Sequence, residues 1–331
     1  MQNAFLKQFP DLMSGKTVMY VHGFASSAQT GTVKKIAELL PNARVVAYDL
    51  PLHPHEALDM LRAKCEEDHP DLIVGTSMGG MFTEQLRGFD RIVVNPAFEM
   101  AETMKAHNMM GKQVFSNPRA DGVQEFFVTK ALVGEYKEVC EGNFKNIDEI
   151  EENRVFGLFG DEDETVDTYD LFAQHYPNAI RFHGGHRLTD TSLLHGVIPV
   201  IRWIDDRQEH RERRIVYVAA NTLKDSWDKP RSSLLKAYNM LIENYDVYIV
   251  APAPWRDPDY TRLLTDWVRQ YVGVPAHDRI VFANDIALLY GDYLVSSAGN
   301  DRFAGTLLEL GSDEFKTWEE IIVYFERLGG Q

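Results

Sequence analysis

Runs of apolar, largely β-branched residues recur along the first two-thirds of the chain, each followed by a stretch with helical spacing. "TVMYVHG" (17–23), "ARVVAYD" (43–49), "DLIVGT" (71–76), "RIVVNP" (91–96), "RVFGLFG" (154–160) and "AIRFHGG" (179–185) have the continuous apolar character of strands buried on both faces. "TVKKIAELL", "HEALDMLRAKCEED", "MFTEQLRGF" and "LLHGVIPVIRWI" predict helices between or after them. The alternation predicts an α/β fold with a mostly parallel sheet. Between residues 97 and 153 the pattern is less regular.

A dense charge run, "DDRQEHRERR" (205–214), then breaks the pattern. It predicts a solvated helix end or linker, since acids interrupt its basic residues. Directly after it the alternation restarts. "IVYVAA", "DVYIVAP", "RIVF" and "DYLV" read as strands, and "SSLLKAYNMLIENY", "YTRLLTDWVRQYVG" and "TWEEIIVYFERL" as helices. The division expected is therefore 1–208 and 209–331. The length of 331 residues agrees, being more than one hydrophobic core usually serves.

Composition narrows the partners. A net charge of -16 repels phosphate backbones and predicts no nucleic-acid partner, although a local site can still oppose the global field. Two cysteines, Cys65 and Cys140, make neither a disulfide framework nor a zinc cluster, which fits a reduced, cytoplasmic compartment. No apolar stretch is long enough to span a bilayer, and the N-terminus lacks the apolar core of a signal peptide, so no membrane association is expected.

The candidate chemistry starts at "GTSMGG" (75–80), which fits G-x-S-x-G. A serine on a tight strand-to-helix turn takes strained backbone angles, and small neighbours are needed to permit them. The following helix N-terminus turns free N–H groups toward developing negative charge. The pattern is short enough to arise by chance. What carries it is position: it follows a predicted strand and precedes a predicted helix.

Ser77 needs a base and an orienting carboxylate. His186, in "RFHGGHRLTD", follows a strand and two glycines, whereas its rival His183 falls at the strand end. "FGLFGDEDETVD" supplies the carboxylate: Asp163 is preferred and Asp161 is the alternative. An oxyanion needs two donors, and the backbone N–H groups of Met78 and Phe24 are the candidates. In the less regular stretch, Met100, Met104, Met109 and Met110 are either an adaptable acyl pocket or ordinary helix packing, and His107 reads as a surface residue rather than a second base.

In that order, "YVHGFASS", "GTSMGG", "VVNPAFE", "GDEDETVD" and "GGHRL" resemble the α/β-hydrolase superfamily, and more narrowly the small bacterial esterases of the YqiA type, over residues 17–204. The resemblance implies Ser77 as nucleophile, His186 as base and an aspartate of the GDED loop as orienter. It implies a short cap insertion near residues 97–153, and hydrolysis of small carboxylic ester or thioester substrates through an acyl-enzyme, with no cofactor and no metal.

From about residue 215 to 328, "YDVYIVAPAPW", "YTRLLTDWV", "LLYGDYLVSS" and "FKTWEEIIVYF" are similar to the haloacid-dehalogenase superfamily, nearest to the cytosolic deoxyribonucleotidases. The resemblance implies a small Rossmann-like α/β domain. It places Ala219 where the family has its aspartate nucleophile and Asn221 where it has its acid/base. Ala251 replaces a phosphate-binding threonine or serine, and Ser296 and Ser297 replace magnesium-binding acids. The expectation is a phosphatase-like domain without catalytic acids, serving as a structural element, a surface for homo-oligomer formation or a small-ligand site. Two alternatives stand beside the esterase: a non-enzymatic scaffold, and residual phosphatase activity of this domain.

Overall fold

The computed structural model describes residues 7–299 and 302–329. The chain divides into two compact units between Asp205 and Asp206. This lies just short of the boundary expected after residue 208, inside the charge run. Asp206 turns its carboxylate forward to Arg213, 2.6 Å away, and Arg211, 2.8 Å away.

The N-terminal unit is built on a six-stranded, all-parallel sheet in the order β2-β1-β3-β4-β7-β8. The strands are β1 (Thr17–Val21), β2 (Arg44–Ala47), β3 (Leu72–Thr76), β4 (Arg91–Val94), β7 (Val155–Gly160) and β8 (Ala179–Phe182). Helices α1 (Gly31–Leu39), α2 (Pro54–Asp68), α3 (Met78–Glu84) and α7 (Tyr169–Ala173) connect them. A short α8 (Asp190–Ser192) leads through one π-helical turn, Leu193–Val197, into α9 (Ile198–Gln208). Side chains alternate across the sheet, and both faces are sealed: Met19, Ile73, Val93 and Val155 enter one core cluster, while Val18, Val74 and Ile92 on the opposite face are equally buried. Burial on both faces is why these strands read as unbroken apolar runs.

The strand order reverses between β1 and β3, where the sheet grows one way to β2 and the other way to β4 while every strand stays parallel. The carboxyl ends of strands at such a switch point leave a crevice. Between β4 and β7 lies the insertion: α4 (Met100–Ala106), an antiparallel hairpin of β5 (Gly111–Val114) and β6 (Glu125–Val128), α5 (Lys130–Cys140) and α6 (Glu149–Glu152). Thr129 caps α5, accepting from Leu132 N at 3.1 Å.

The C-terminal unit carries a second all-parallel sheet, order β11-β10-β9-β12-β13. Its strands are β9 (Ile215–Ala219), β10 (Asp246–Ala251), β11 (Ile280–Phe282), β12 (Tyr293–Ser296) and β13 (Thr306–Glu309), with helices α10 (Leu234–Asn244), α11 (Tyr260–Tyr271) and α12 (Trp318–Gly329). Val216, Val218, Val247, Ile249 and Val295 form one core with these helices. Among the described residues no helix is long and apolar enough to cross a membrane.

Candidate active site

Ser77 sits between β3 and α3 with φ 55° and ψ -122°, a region that costs on the order of 1–3 kcal/mol for a residue with a side chain. The surroundings enforce it. Its N–H donates to Val94 O (2.9 Å), and its carbonyl accepts from Gly80 N (2.9 Å), Met81 N (3.2 Å) and Ala97 N (3.0 Å). A Cβ on Gly75 would come within 2.2 Å of Thr83 Oγ1, and one on Gly79 within 2.1 Å of Val21 O, so both flanking glycines are obligatory. The helix begins at Met78, earlier than the "MFTEQLRGF" expected. Two glycines look like a turn by propensity, but close packing on β1 and Pro96 requires them inside the helix.

The Ser77 hydroxyl does not cap its own helix. It lies 3.1 Å from Nε2 of His186, and His186 Nδ1 lies 2.8 Å from Asp163 Oδ2. A carboxylate can only accept, so Nδ1 carries the proton and Nε2 is left to accept from Ser77 Oγ–H. The second oxygen of Asp163 accepts from Thr165 N (2.8 Å) and Val166 N (3.0 Å). Burial raises the Asp163 pKa, but the His186 hydrogen bond and charge and the two backbone donors outweigh it, so the net direction is down. The Asp163 side chain is 2% exposed and that of His186 is 23% exposed, a sheltered acid behind an imidazole that still meets solvent. Asp161 turns elsewhere: it accepts from Gly184 N (3.0 Å) and faces His183 at the rim.

The loop after β1 lies against the serine: a Cβ on Gly23 would touch Ser77 Cβ at 3.3 Å. His22 sets its shape. The ring is 2% exposed, and burial drives its pKa down despite the Gly23 carbonyl and Asp49. The neutral ring accepts Leu50 N–H at Nε2 (3.2 Å) and donates Nδ1–H to Gly23 O (2.8 Å). In a trans peptide C=O and N–H point oppositely, so fixing the Gly23 carbonyl also fixes Phe24 N–H. Met78 N–H, first in α3, is one of the helix donors that have no intrahelical acceptor.

The cap reaches the side chains of both these residues. Tyr136 of α5 donates to Met78 Sδ (3.2 Å) and packs edge-on to Phe24. Phe126 of β6 is also edge-on to Phe24, and Phe115 packs on Phe126. Ser116 N donates to Ala25 O (2.8 Å) and Ser27 Oγ to Pro118 O (2.6 Å), stitching the hairpin to the β1 loop. Met100 and Met104 are buried in the core, Met109 packs against it, and Met110 is exposed, so the methionine row divides between packing and surface. His107 is exposed, with Nε2 3.2 Å from Thr165 O.

At the matching edge of the second sheet, Ala219, Ala251 and Ser296 line a cavity of about 300 Å³ with Asp285 and Arg302. Asp285 is engaged by Arg302 at 2.9 Å and by Ala287 N at 3.1 Å. Asn221 and Ser296 face each other at 3.4 Å, and Ser297 N donates to Asn221 Oδ1. Among the described residues no three His, Cys, Asp or Glu side chains are grouped so as to hold a metal ion.

The first sheet, its switch-point crevice and the strained serine after β3 define an α/β-hydrolase fold, and the second unit is a separate, smaller α/β domain on a five-stranded parallel sheet. The chain belongs to UPF0227, an uncharacterised protein family whose profile matches residues 17–193. The C-terminal part is similar to a Vibrio phage KVP40 protein that carries a 5'(3')-deoxyribonucleotidase name, at 30% identity over 99 residues, 29% of this chain. The match spans 58% of that relative's length. Among solved structures, a soluble variant of the Saccharomyces cerevisiae monoglyceride lipase is similar at 13% identity, covering 62% of this chain and 89% of that one, TM-score 0.40. Est1E from Butyrivibrio proteoclasticus is similar at 15% identity, covering 61% and 90%, TM-score 0.37.

Proposed function

We propose that the N-terminal unit is a serine hydrolase that cleaves small carboxylic ester or thioester substrates through an acyl-enzyme. The observation that carries this is the continuous relay from Ser77 Oγ through His186 to Asp163, with spacings of 3.1 and 2.8 Å. Ser77 Oγ attacks the carbonyl carbon as His186 Nε2 takes its proton, and Asp163 stabilises the imidazolium. The tetrahedral oxyanion faces Phe24 N–H and Met78 N–H. Collapse expels the alcohol or thiol, which takes the proton from His186. Water then repeats the sequence, releasing the acid and restoring Ser77. Every step uses protein groups and water, so the reaction needs no cofactor. The aromatic and apolar cap beside Phe24 favours modest acyl groups.

The C-terminal unit does not take part in the chemistry: Ala219 offers a methyl group where a phosphoryl-transfer site needs a nucleophile, and Asn221 and Ser296 offer no negative charge for a cation. We place the protein in the cytoplasm, where Cys65 and Cys140 remain free thiols; burial pushes both to about 11, so neither is a ready thiolate. A panel of ester and thioester substrates of graded chain length, run on wild type and Ser77→Ala, tests the proposal. Short acyl chains should be turned over by wild type alone. Turnover that survives Ser77→Ala, or rises steadily toward very long chains, contradicts it.

A further inference from the structure

Resting on the serine-hydrolase proposal, we infer that Asn95 is a positioning residue that holds His186 against Ser77 by bonding the histidine loop and the end of the acid-bearing strand to β4. It belongs to the "VVNPAFE" stretch, takes no part in the relay, and is 2% exposed.

Asn95 follows the last residue of β4 and has φ 44°, a left-handed conformation that asparagine tolerates better than most side chains. Its N–H continues the ladder to β7, donating to Leu158 O at 2.8 Å. Its side chain leaves the ladder. Oδ1 accepts from Gly160 N at 2.7 Å, at the end of the strand that leads to Asp163. Nδ2 donates to Gly185 O at 3.0 Å and to His186 O at 3.1 Å. These partners fix which amide atom is which, since an N–H needs an acceptor and two carbonyls need donors. Both Nδ2 hydrogens and one side of the oxygen are used.

Val94, one residue earlier, accepts the Ser77 N–H at 2.9 Å. Two consecutive residues therefore tie together all three segments that bear the relay. The loops after β7 and β8 are themselves interlaced: Asp161 N donates to Phe182 O and Glu162 N to Gly184 O, each at 3.0 Å. They lie so close that a Cβ on Gly160 would come within 2.3 Å of Gly184 O. What this pair of loops needs is registry with the serine, and the three bonds of the Asn95 amide supply it. Aspartate has the same shape but presents an acceptor to two carbonyls. Alanine has neither donor nor acceptor, leaving three half-buried backbone groups without that partner.

The test is turnover per active site in Asn95→Asp and Asn95→Ala, with sites counted by fluorophosphonate titration to completion and folding checked by circular dichroism and melting temperature. A positioning role predicts kcat per titrated serine lower by about 10²-fold, as for a misplacement on the order of 1 Å, with KM close to wild type. A purely structural role lowers the melting temperature and the number of titratable sites but leaves kcat per site at the wild-type value, and that result overturns the inference. Failure of both variants to fold makes Asn95 a fold residue and overturns it equally. Ser77→Ala runs alongside. If it retains turnover, the serine-hydrolase proposal itself fails; if it is dead while the Asn95 variants match wild type, only the Asn95 assignment fails.

Discussion

The two units solve the same construction problem and diverge at one edge. Each is a parallel sheet with helices packed on it, and each gathers its loops at the carboxyl ends of its strands. At that edge the first sheet holds Ser77, His186 and Asp163 within hydrogen-bond reach of one another. The second holds Ala219, Ala251 and Ser296 around a cavity of about 300 Å³. The cores of both are intact. Packing preserves a fold through many side chains, whereas chemistry depends on a few, so two similar sheets can carry quite different residues at the ends of their strands.

The largest expected effect tests the reactive edge. Ser77→Ala and His186→Ala should each lower ester kcat by on the order of 10⁶-fold in steady-state assays while leaving the circular dichroism spectrum unchanged. Next, Asp163→Asn should cost about 10³–10⁴-fold, because the amide loses the charge that stabilises the imidazolium. Asp161→Asn, at the rim with His183, should stay near wild type. If Asp161→Asn is the damaging change, the orienting carboxylate has been misassigned. Asp163 also links to stability. Its folded pKa lies below the ordinary 3.8, so its contribution is present above that value and is lost as pH falls through the lower folded value. Asp163→Asn should flatten that acid limb in denaturation curves recorded across pH.

A smaller effect belongs to His22. His22→Phe keeps a ring and removes both nitrogens, so the Gly23–Phe24 peptide loses its clamp. The expected fall in kcat is on the order of 10-fold, less than the about 10²–10³-fold of losing an oxyanion donor outright. Because burial lowers its pKa, folded His22 refuses a proton that the unfolded chain accepts below 6.5. Wild-type stability should therefore fall as pH drops through 6.5, and His22→Phe should lose that slope in thermal melts at graded pH.

The smallest effect is expected at the other sheet. Ala219→Asp combined with Asn221→Asp restores two carboxylates to its edge but not the residues at Ala251 and Ser296. Magnesium-dependent phosphate release should remain at background. A gain of phosphatase turnover would mean that the second edge is closer to reactive than its side chains imply.

The candidates Ser77, His186 and Asp163 were legible in the sequence because each lies within a few residues of the end of an apolar strand, and a parallel sheet brings strand ends together. Asn95 was harder: its signal is only an Asn-Pro at a strand end, and its meaning lies in carbonyls some 90 residues away. The Met78 start of α3 was hidden because tertiary contact, not propensity, places Gly79 and Gly80 in a helix. The β5–β6 hairpin and the last strand, β13, were missed because each strand is only four residues long, GKQV, EFFV and TLLE, too short for a period to stand out from the surrounding sequence. In each of these cases a distant part of the chain makes the decision.

The most direct test is the site of covalent labelling. Wild-type protein treated with a fluorophosphonate and mapped by peptide mass spectrometry should carry a single adduct on Ser77, absent from Ser77→Ala and greatly slowed in His186→Ala. No adduct, or an adduct on another residue while Ser77 stays unmodified, would contradict the account.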